Sequence, residues 1–179
     1  MTHTDKKQMR ALIAQRRQEY APAARLDLSG PILRRLAAHP RFVAAHTVLL
    51  YHSLPDEVDT AAFVQYWSQR KLVLLPSVVN NEIELHRHAP EDPLVPGPFG
   101  VLESGGKLFT DYASIDLAVI PGVAFDESGG RLGRGKGFYD RLLARLAPHP
   151  IYKVGICFDF QIVDHVPMEA HDVPMDEII

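Results

Sequence analysis

Asp116 to Leu143 reads DLAVIPGVAFDESGGRLGRGKGFYDRLL. An apolar run, DLAVIPG (116–122), predicts a strand buried on both faces. A turn follows, and then a loop from Gly129 to Gly137 with five glycines and three fixed positive charges. Residues 137–146 predict a helix that starts directly from that loop. Glycine lets successive N–H groups converge on one point with no Cβ in the way. Converging N–H groups beside a helix N-terminus form an anion-binding concavity. Arg131, Arg134 and Lys136 add full charge, so the expected guest carries phosphate.

Two familiar phosphate loops are disfavoured. Gly130 to Lys136 fits G-x-x-x-x-G-K, but Gly137 stands where a P-loop has the Ser or Thr that holds magnesium. The glycines also read G-R-G-K-G, not the G-x-G-x-x-G of a dinucleotide-binding fold. If a nucleoside triphosphate binds here, its metal needs oxygen ligands from elsewhere. Asp140, one turn into the helix, and Asp172, in the acidic tail, are the candidates. Read locally, Asp140 could equally stabilise the helix dipole, and Asp172 could be a solvated tail charge.

Outward from the loop, the chain alternates. Residues 5–20 and 22–39 have helical periodicity, the second interrupted at Ser29-Gly30-Pro31. TVLLY (47–51) predicts a strand, 59–70 a helix capped by Asp59, KLVLLP (71–76) a strand, and EIELHRHA (82–89) an alternating strand. Residues 90–107, rich in Pro and Gly, read as one long functional loop. YKVGICF (152–158) is expected to close the sheet, ahead of an irregular acidic tail. Strands alternating with helices, several of them apolar on both faces, imply an α/β layered fold with a mainly parallel sheet. At 179 residues the chain is expected to form a single domain, 1–179.

Composition narrows the function classes. A net charge of -3 gives no global reason to bind nucleic acid. Residues 1–40 nevertheless carry eight Lys/Arg, while 159–179 carry six carboxylates and no Lys or Arg. The only cysteine, Cys157, lies in an apolar run and reads as inert core. Cysteine-based metal sites and disulfide scaffolds are thereby excluded. His86 and His88 share a strand face without a carboxylate at metal-site spacing, and read as sheet residues. No run has the length of a membrane span, and the N-terminus lacks an apolar signal region, so a cytoplasmic protein is expected.

LGRGKGFYDRLL (132–143), with VIPGVAFDESGGR (119–131) before it, resembles the 5-formyltetrahydrofolate cyclo-ligase family. Further matches are K-x-x-x-R at Lys6 to Arg10, YHSLPDEVDT (51–60), PFGVLE (98–103) and HDVPMDEII (171–179), in the family's order over nearly the whole chain. Two departures stand out: Phe138 where the family often has Tyr, and Ser104 where it has Pro. The resemblance implies a three-layer α/β/α sandwich like the sugar-phosphate isomerase and CoA-transferase superfamily. It implies ATP-driven cyclisation of 5-formyltetrahydrofolate, with polyglutamates as further substrates, in a monomer or homodimer. ATP would lie against Lys6, Arg10 and the loop residues Arg131, Leu132, Gly133, Arg134, Gly135, Lys136, Gly137, Phe138 and Tyr139. Folate would face Arg10, His52, Glu57, Phe99, Gly100 and Tyr139. Mg2+ would be held by Asp140 and Asp172. Arg134 and Lys136 are the expected carriers of phosphoryl charge, and Glu57 the expected acceptor for pterin N–H groups. Two other readings stay open on the residues alone: an ATP-dependent enzyme with a different anionic substrate, and a non-catalytic folate or nucleotide binder.

Overall fold

In strand β7 (Leu117–Ile120), the core of the opening stretch, all four residues are buried. Leu117 and Val119 face one apolar cluster, Ala118 and Ile120 the other. That alternation is the pleat of a sheet covered on both sides. The computed structural model describes residues 3–170 and 172–179. Its other strands are β1 (Thr47–Leu49), β2 (Leu72–Val79), β3 (Glu82–His88), β4 (Leu94–Pro96), β5 (Leu102–Ser104), β6 (Leu108–Phe109), β8 (Ala124–Phe125), β9 (Arg131–Leu132), β10 (Tyr152–Gly155) and β11 (Glu177–Ile178). The helices are α1 (His3–Gln18), α2 (Pro22–Ala38), α3 (Pro40–Ala44), α4 (Ala61–Trp67) and α5 (Phe138–Leu146).

The main sheet has seven strands in the order β11-β10-β7-β1-β2-β3-β6. It is parallel from β11 to β2 and antiparallel at β2–β3 and β3–β6. Ile13, Leu36, Phe42 and Val64 bring α1 to α4 onto one face. Leu142, Leu143 and Leu146 bring α5 onto the other. The result is the expected three-layer α/β/α sandwich. β1 crosses to β2 through α4, whereas β7 crosses to β10 through α5 on the opposite face. Successive connections therefore diverge where β1 lies beside β7, and the carboxyl ends of these strands flank a crevice.

Several expected boundaries move. The expected break at Ser29-Gly30-Pro31 is absent: α2 runs unbroken through Pro31. Proline removes one helical N–H bond, but Ser29 and Leu36 are buried on either side of it and pin both halves. The predicted 59–70 helix contracts to α4, with Asp59 Oδ1 accepting from Ala61 N at 3.0 Å. The strand at 71–76 extends to Val79, and Asn80-Asn81, with φ of 49° and 63°, turns it tightly into β3. Residues 90–107 are not one loop. β4 pairs with β5 as a hairpin, which Pro and Gly had masked. Nor does 152–158 close the sheet: the strand ends at Gly155, and β11, in the supposedly irregular tail, adds the parallel edge.

Candidate active site

The crevice holds a cavity of about 350 Å³. Tyr51, His52 and Glu57 reach it from the segment after β1, and Pro121 and Gly122 from the segment after β7. Phe99, Val101 and Glu103 enter from the hairpin side, and Gly133, Arg134 and Lys136 to Asp140 from the glycine loop and α5. Gly137 is the N-cap residue just before α5, and a side chain would resist its φ of 71°. Gly137 offers no side-chain cap, so the first N–H groups of α5 have no capping oxygen from it.

The glycine loop is held by a carboxylate outside the expected set of site residues. Asp126 is buried, and its Oδ1 accepts from Ser128 N (2.9 Å), Ser128 Oγ (2.6 Å) and Gly130 N (2.8 Å). Its Oδ2 accepts from Val166 N at 2.7 Å. Burial works against its charge, but these donors outweigh it and hold the carboxyl below the usual aspartate range. The turn lets β8 pair with β9 and places Gly129 against the C-terminal segment. A Cβ at Gly129, where φ is 88°, would lie 2.2 Å from Met175 O. The D-E-S-G-G run is itself a local signal, since Asp before Ser and Gly favours a turn closed by its own side chain.

Arg10, on α1, donates through Nε to Gly133 O at 2.8 Å, and its guanidinium lies against Gly135. Lys6 meets the tail, with Nζ 3.0 Å from Glu169 and 3.2 Å from Asp172. Burial disfavours the Lys6 ammonium, but the two carboxylates raise its pKa overall. Lys136 is exposed and rests 3.9 Å above the centroid of Phe99. Phe99 has a φ of 64°, packs beside Phe138, and is followed by Gly100, also in the left-handed region. This turn sets the hairpin against the basic loop.

Three of the expected site residues already have partners. Arg134 is not a free cation. It bridges to Asp56 Oδ1 at 2.6 Å and to Glu57 Oε1 at 3.0 Å. Burial opposes its charge, and these acids restore it, raising its pKa. Asp56 also pairs with Arg17 of α1 and is held below the usual range despite burial. Glu57 is not an open acceptor: its Oε2 takes Leu54 N at 2.9 Å while Oε1 faces Arg134. Asp140 is paired with Arg131, a nearly enclosed guanidinium that also donates to Pro121 O at 3.0 Å. Burial lowers the Arg131 pKa, and Asp140 recovers part of the loss. Neither Asp56 nor its partners could be paired from sequence, because they lie tens of positions apart.

Tyr139 is in the cavity wall, with its hydroxyl pKa raised by burial and by Glu57. Burial lowers His52, leaving a neutral imidazole at neutral pH that suits a wall contact. Leu132 is buried in the core beneath the loop. Cys157 is buried, as expected, and its thiol is pushed up to about 12, chiefly by burial. His88 is buried beside Ser104, and His86 bonds Gly106 O. Among the described residues, no group of three or more His, Cys, Asp or Glu side chains is arranged to hold a metal. Asp140 and Asp172 are hard oxygen donors, the type that holds Mg2+ when phosphate supplies the remaining ligands. Among the described residues, no helix is long and apolar enough to cross a membrane.

The fold and cavity define a class: an α/β sandwich with a basic, glycine-rich loop lining a cavity at the carboxyl ends of its parallel strands. The chain belongs to the 5-formyltetrahydrofolate cyclo-ligase family, whose model matches residues 2–179. It is 32% identical over 175 residues to the 5-formyltetrahydrofolate cyclo-ligase of Escherichia coli K12, covering 94% of this chain and 96% of that one. The Mus musculus protein of that name is 27% identical over 191 residues, covering 97% and 92%. An NMR structure of Aquifex aeolicus 5,10-methenyltetrahydrofolate synthetase is similar at 35% identity and a TM-score of 0.84, covering 97% of this chain and 88% of that one.

Proposed function

We propose that this chain catalyses the ATP-dependent cyclisation of 5-formyltetrahydrofolate to 5,10-methenyltetrahydrofolate, releasing ADP and phosphate. Family membership supports the activity. The observation that carries it at the site is one cavity in which an anion-seeking loop faces aromatic and apolar walls. Phosphate suits the first surface, and a flat pterin suits the second.

The chemical difficulty is the leaving group, because an amide oxygen does not depart as hydroxide at neutral pH. Transfer of the γ-phosphoryl group to the formyl oxygen gives an iminium phosphate. N10 then attacks the formyl carbon and gives up its proton as phosphate leaves. The substrate supplies both nucleophiles, so the protein's work is alignment and charge stabilisation. Loop N–H groups, the start of α5, Arg10 and Lys136 receive the phosphates. Lys136 has no carboxylate partner among the described residues and can leave the Phe99 face. Arg134 reaches the phosphoryl group only by exchanging Asp56 and Glu57 for phosphate oxygens. Mg2+, held by Asp140 and Asp172, would neutralise part of the triphosphate charge. Tyr139, His52, Phe99 and Gly100 form the folate wall.

The test is direct. Purified protein with 5-formyltetrahydrofolate, ATP and magnesium should develop methenyl absorbance, and omitting ATP should abolish it. No absorbance change, together with ATP turnover on another anionic substrate, would replace this reading.

A further inference from the structure

Lys6, Arg10, Ile13 and Arg17 of α1 recur at spacings of four, three and four residues. Such spacing makes one stripe along a helix. Ile13 is buried in the core and turns the stripe toward the body of the fold. Lys6 meets the acidic tail, and Arg10 holds the glycine loop. Arg17, in the last turn, pairs with Asp56 Oδ2. Its neighbour Arg16 donates to Phe160 O at 3.3 Å and to Ile162 O at 3.1 Å, which anchors that turn. Neither Arg17 nor Asp56 belongs to the expected set of site residues. Asp56 nevertheless takes Arg134 in a two-pronged contact, Nη1 to Oδ2 at 3.2 Å and Nη2 to Oδ1 at 2.6 Å.

Asp56 therefore stands between two guanidinium groups, one on a helix and one on the cavity wall. Burial works against its charge, but Arg134 and then Arg17 outweigh burial and hold the carboxyl below the usual range. Both cations matter once phosphate enters. Arg134 turns to phosphate by giving up its acids, and a half-buried carboxylate stripped of its cation is costly. Glu57 would keep Leu54 N, at 2.9 Å. Among the described residues, no side chain other than the two arginines donates to Asp56. Arg17 is thus its reserve cation. We propose that Arg17 and Asp56 are positioning residues for Arg134: Asp56 holds the guanidinium at the cavity wall until phosphate arrives, and Arg17 keeps Asp56 paired when Arg134 leaves. Without Arg17, Asp56 would depend on Arg134 alone and release it less readily. The inference rests on the ATP reading above and assigns no contact between Arg17 and either substrate.

The test is a double-mutant cycle read by calorimetric binding of the non-hydrolysable analogue AMP-PNP with magnesium. Arg17→Met should weaken binding about 10-fold, between the loss of an exposed ion pair and that of a buried one. Asp56→Asn alone should bind at least as tightly as wild type, because Arg134 is then easier to release. In the Asp56→Asn background no carboxylate is left to compensate, so adding Arg17→Met should change affinity little. Wild-type affinity in Arg17→Met would overturn the proposal. An equal loss in both backgrounds would also overturn it, because Arg17 would then be attracting the nucleotide by charge alone. A loss in Asp56→Asn as large as in Arg17→Met would overturn it too, since the pair would merely brace the chain. If a variant does not fold, a crystal structure of wild type with AMP-PNP and magnesium decides. Arg134 on phosphate with Arg17 still on Asp56 supports the assignment, and Arg134 still on Asp56 removes it. The expected cycle in a protein that converts no 5-formyltetrahydrofolate would sink the cyclisation reading and leave Arg17 and Asp56 standing. Conversion of 5-formyltetrahydrofolate with equal losses in both backgrounds would do the reverse.

Discussion

Asp126→Asn should destabilise the protein out of proportion to the change of one atom. If the amide oxygen keeps Ser128 and Gly130, the new NH2 group meets Val166 N, donor against donor. A buried N–H left without an acceptor costs about 1–3 kcal/mol. The three bonds retained on the oxygen lose their charged acceptor, at roughly 0.5 kcal/mol each. The sum is roughly 3–4 kcal/mol, which for a chain of this length lowers Tm by about 10 °C. Thermal unfolding followed by circular dichroism reads this directly. The pH dependence supplies a second check. The folded-state pKa of Asp126 is depressed, so its contribution is present above the unfolded value, about 3.9, and is lost as pH falls through the folded one. The gap between wild type and variant should therefore hold from pH 8 to pH 5, and close only in stronger acid. A variant melting within about 2 °C of wild type at pH 7 would refute this account of how the turn is held.

Three further outcomes are expected. Lys136→Ala should cut kcat about 100- to 1,000-fold, as removal of a charge-stabilising donor does, and leave Tm nearly unchanged because Lys136 is exposed; near-normal turnover of the folded variant would take Lys136 out of the phosphate site. Asp140→Asn should both lower stability by about 2 kcal/mol, by leaving Arg131 without its carboxylate, and raise the magnesium concentration needed for half-maximal rate. An unchanged magnesium titration would remove Asp140 from the metal site, and an unchanged Tm would mean that Arg131 does not depend on it. Cys157, with its thiol pushed up to about 12, should resist thiol reagents at pH 8 in the native protein and react fully once unfolded; labelling of the native form would contradict its burial.

Local patterns carried the architecture a long way. The doubly apolar run at Leu117–Ile120 and the alternation at 82–88 reflect sheet faces, and a strand shows its faces in its own composition. The glycine loop was legible because its backbone conformation is written in the residues that allow it. The hairpin of β4 and β5 was not, because pairing between short strands depends on a partner segment and on Val78 beyond it. The edge strand at Glu177–Ile178 escaped for the same reason: its register is set by β10.

What the sequence determined alone was the layered α/β class, the basic cradle before α5 and the family. Each is a property of neighbouring residues or of motif order along the chain. Only the tertiary structure decided which charges are already spent. It joined Arg134 to Asp56 and Glu57, 78 and 77 positions away, and joined Arg131 to Asp140 inside the cavity wall. Ion pairing acts over a few ångströms of space, and separation along the chain says nothing about it until the sheet has brought the segments together.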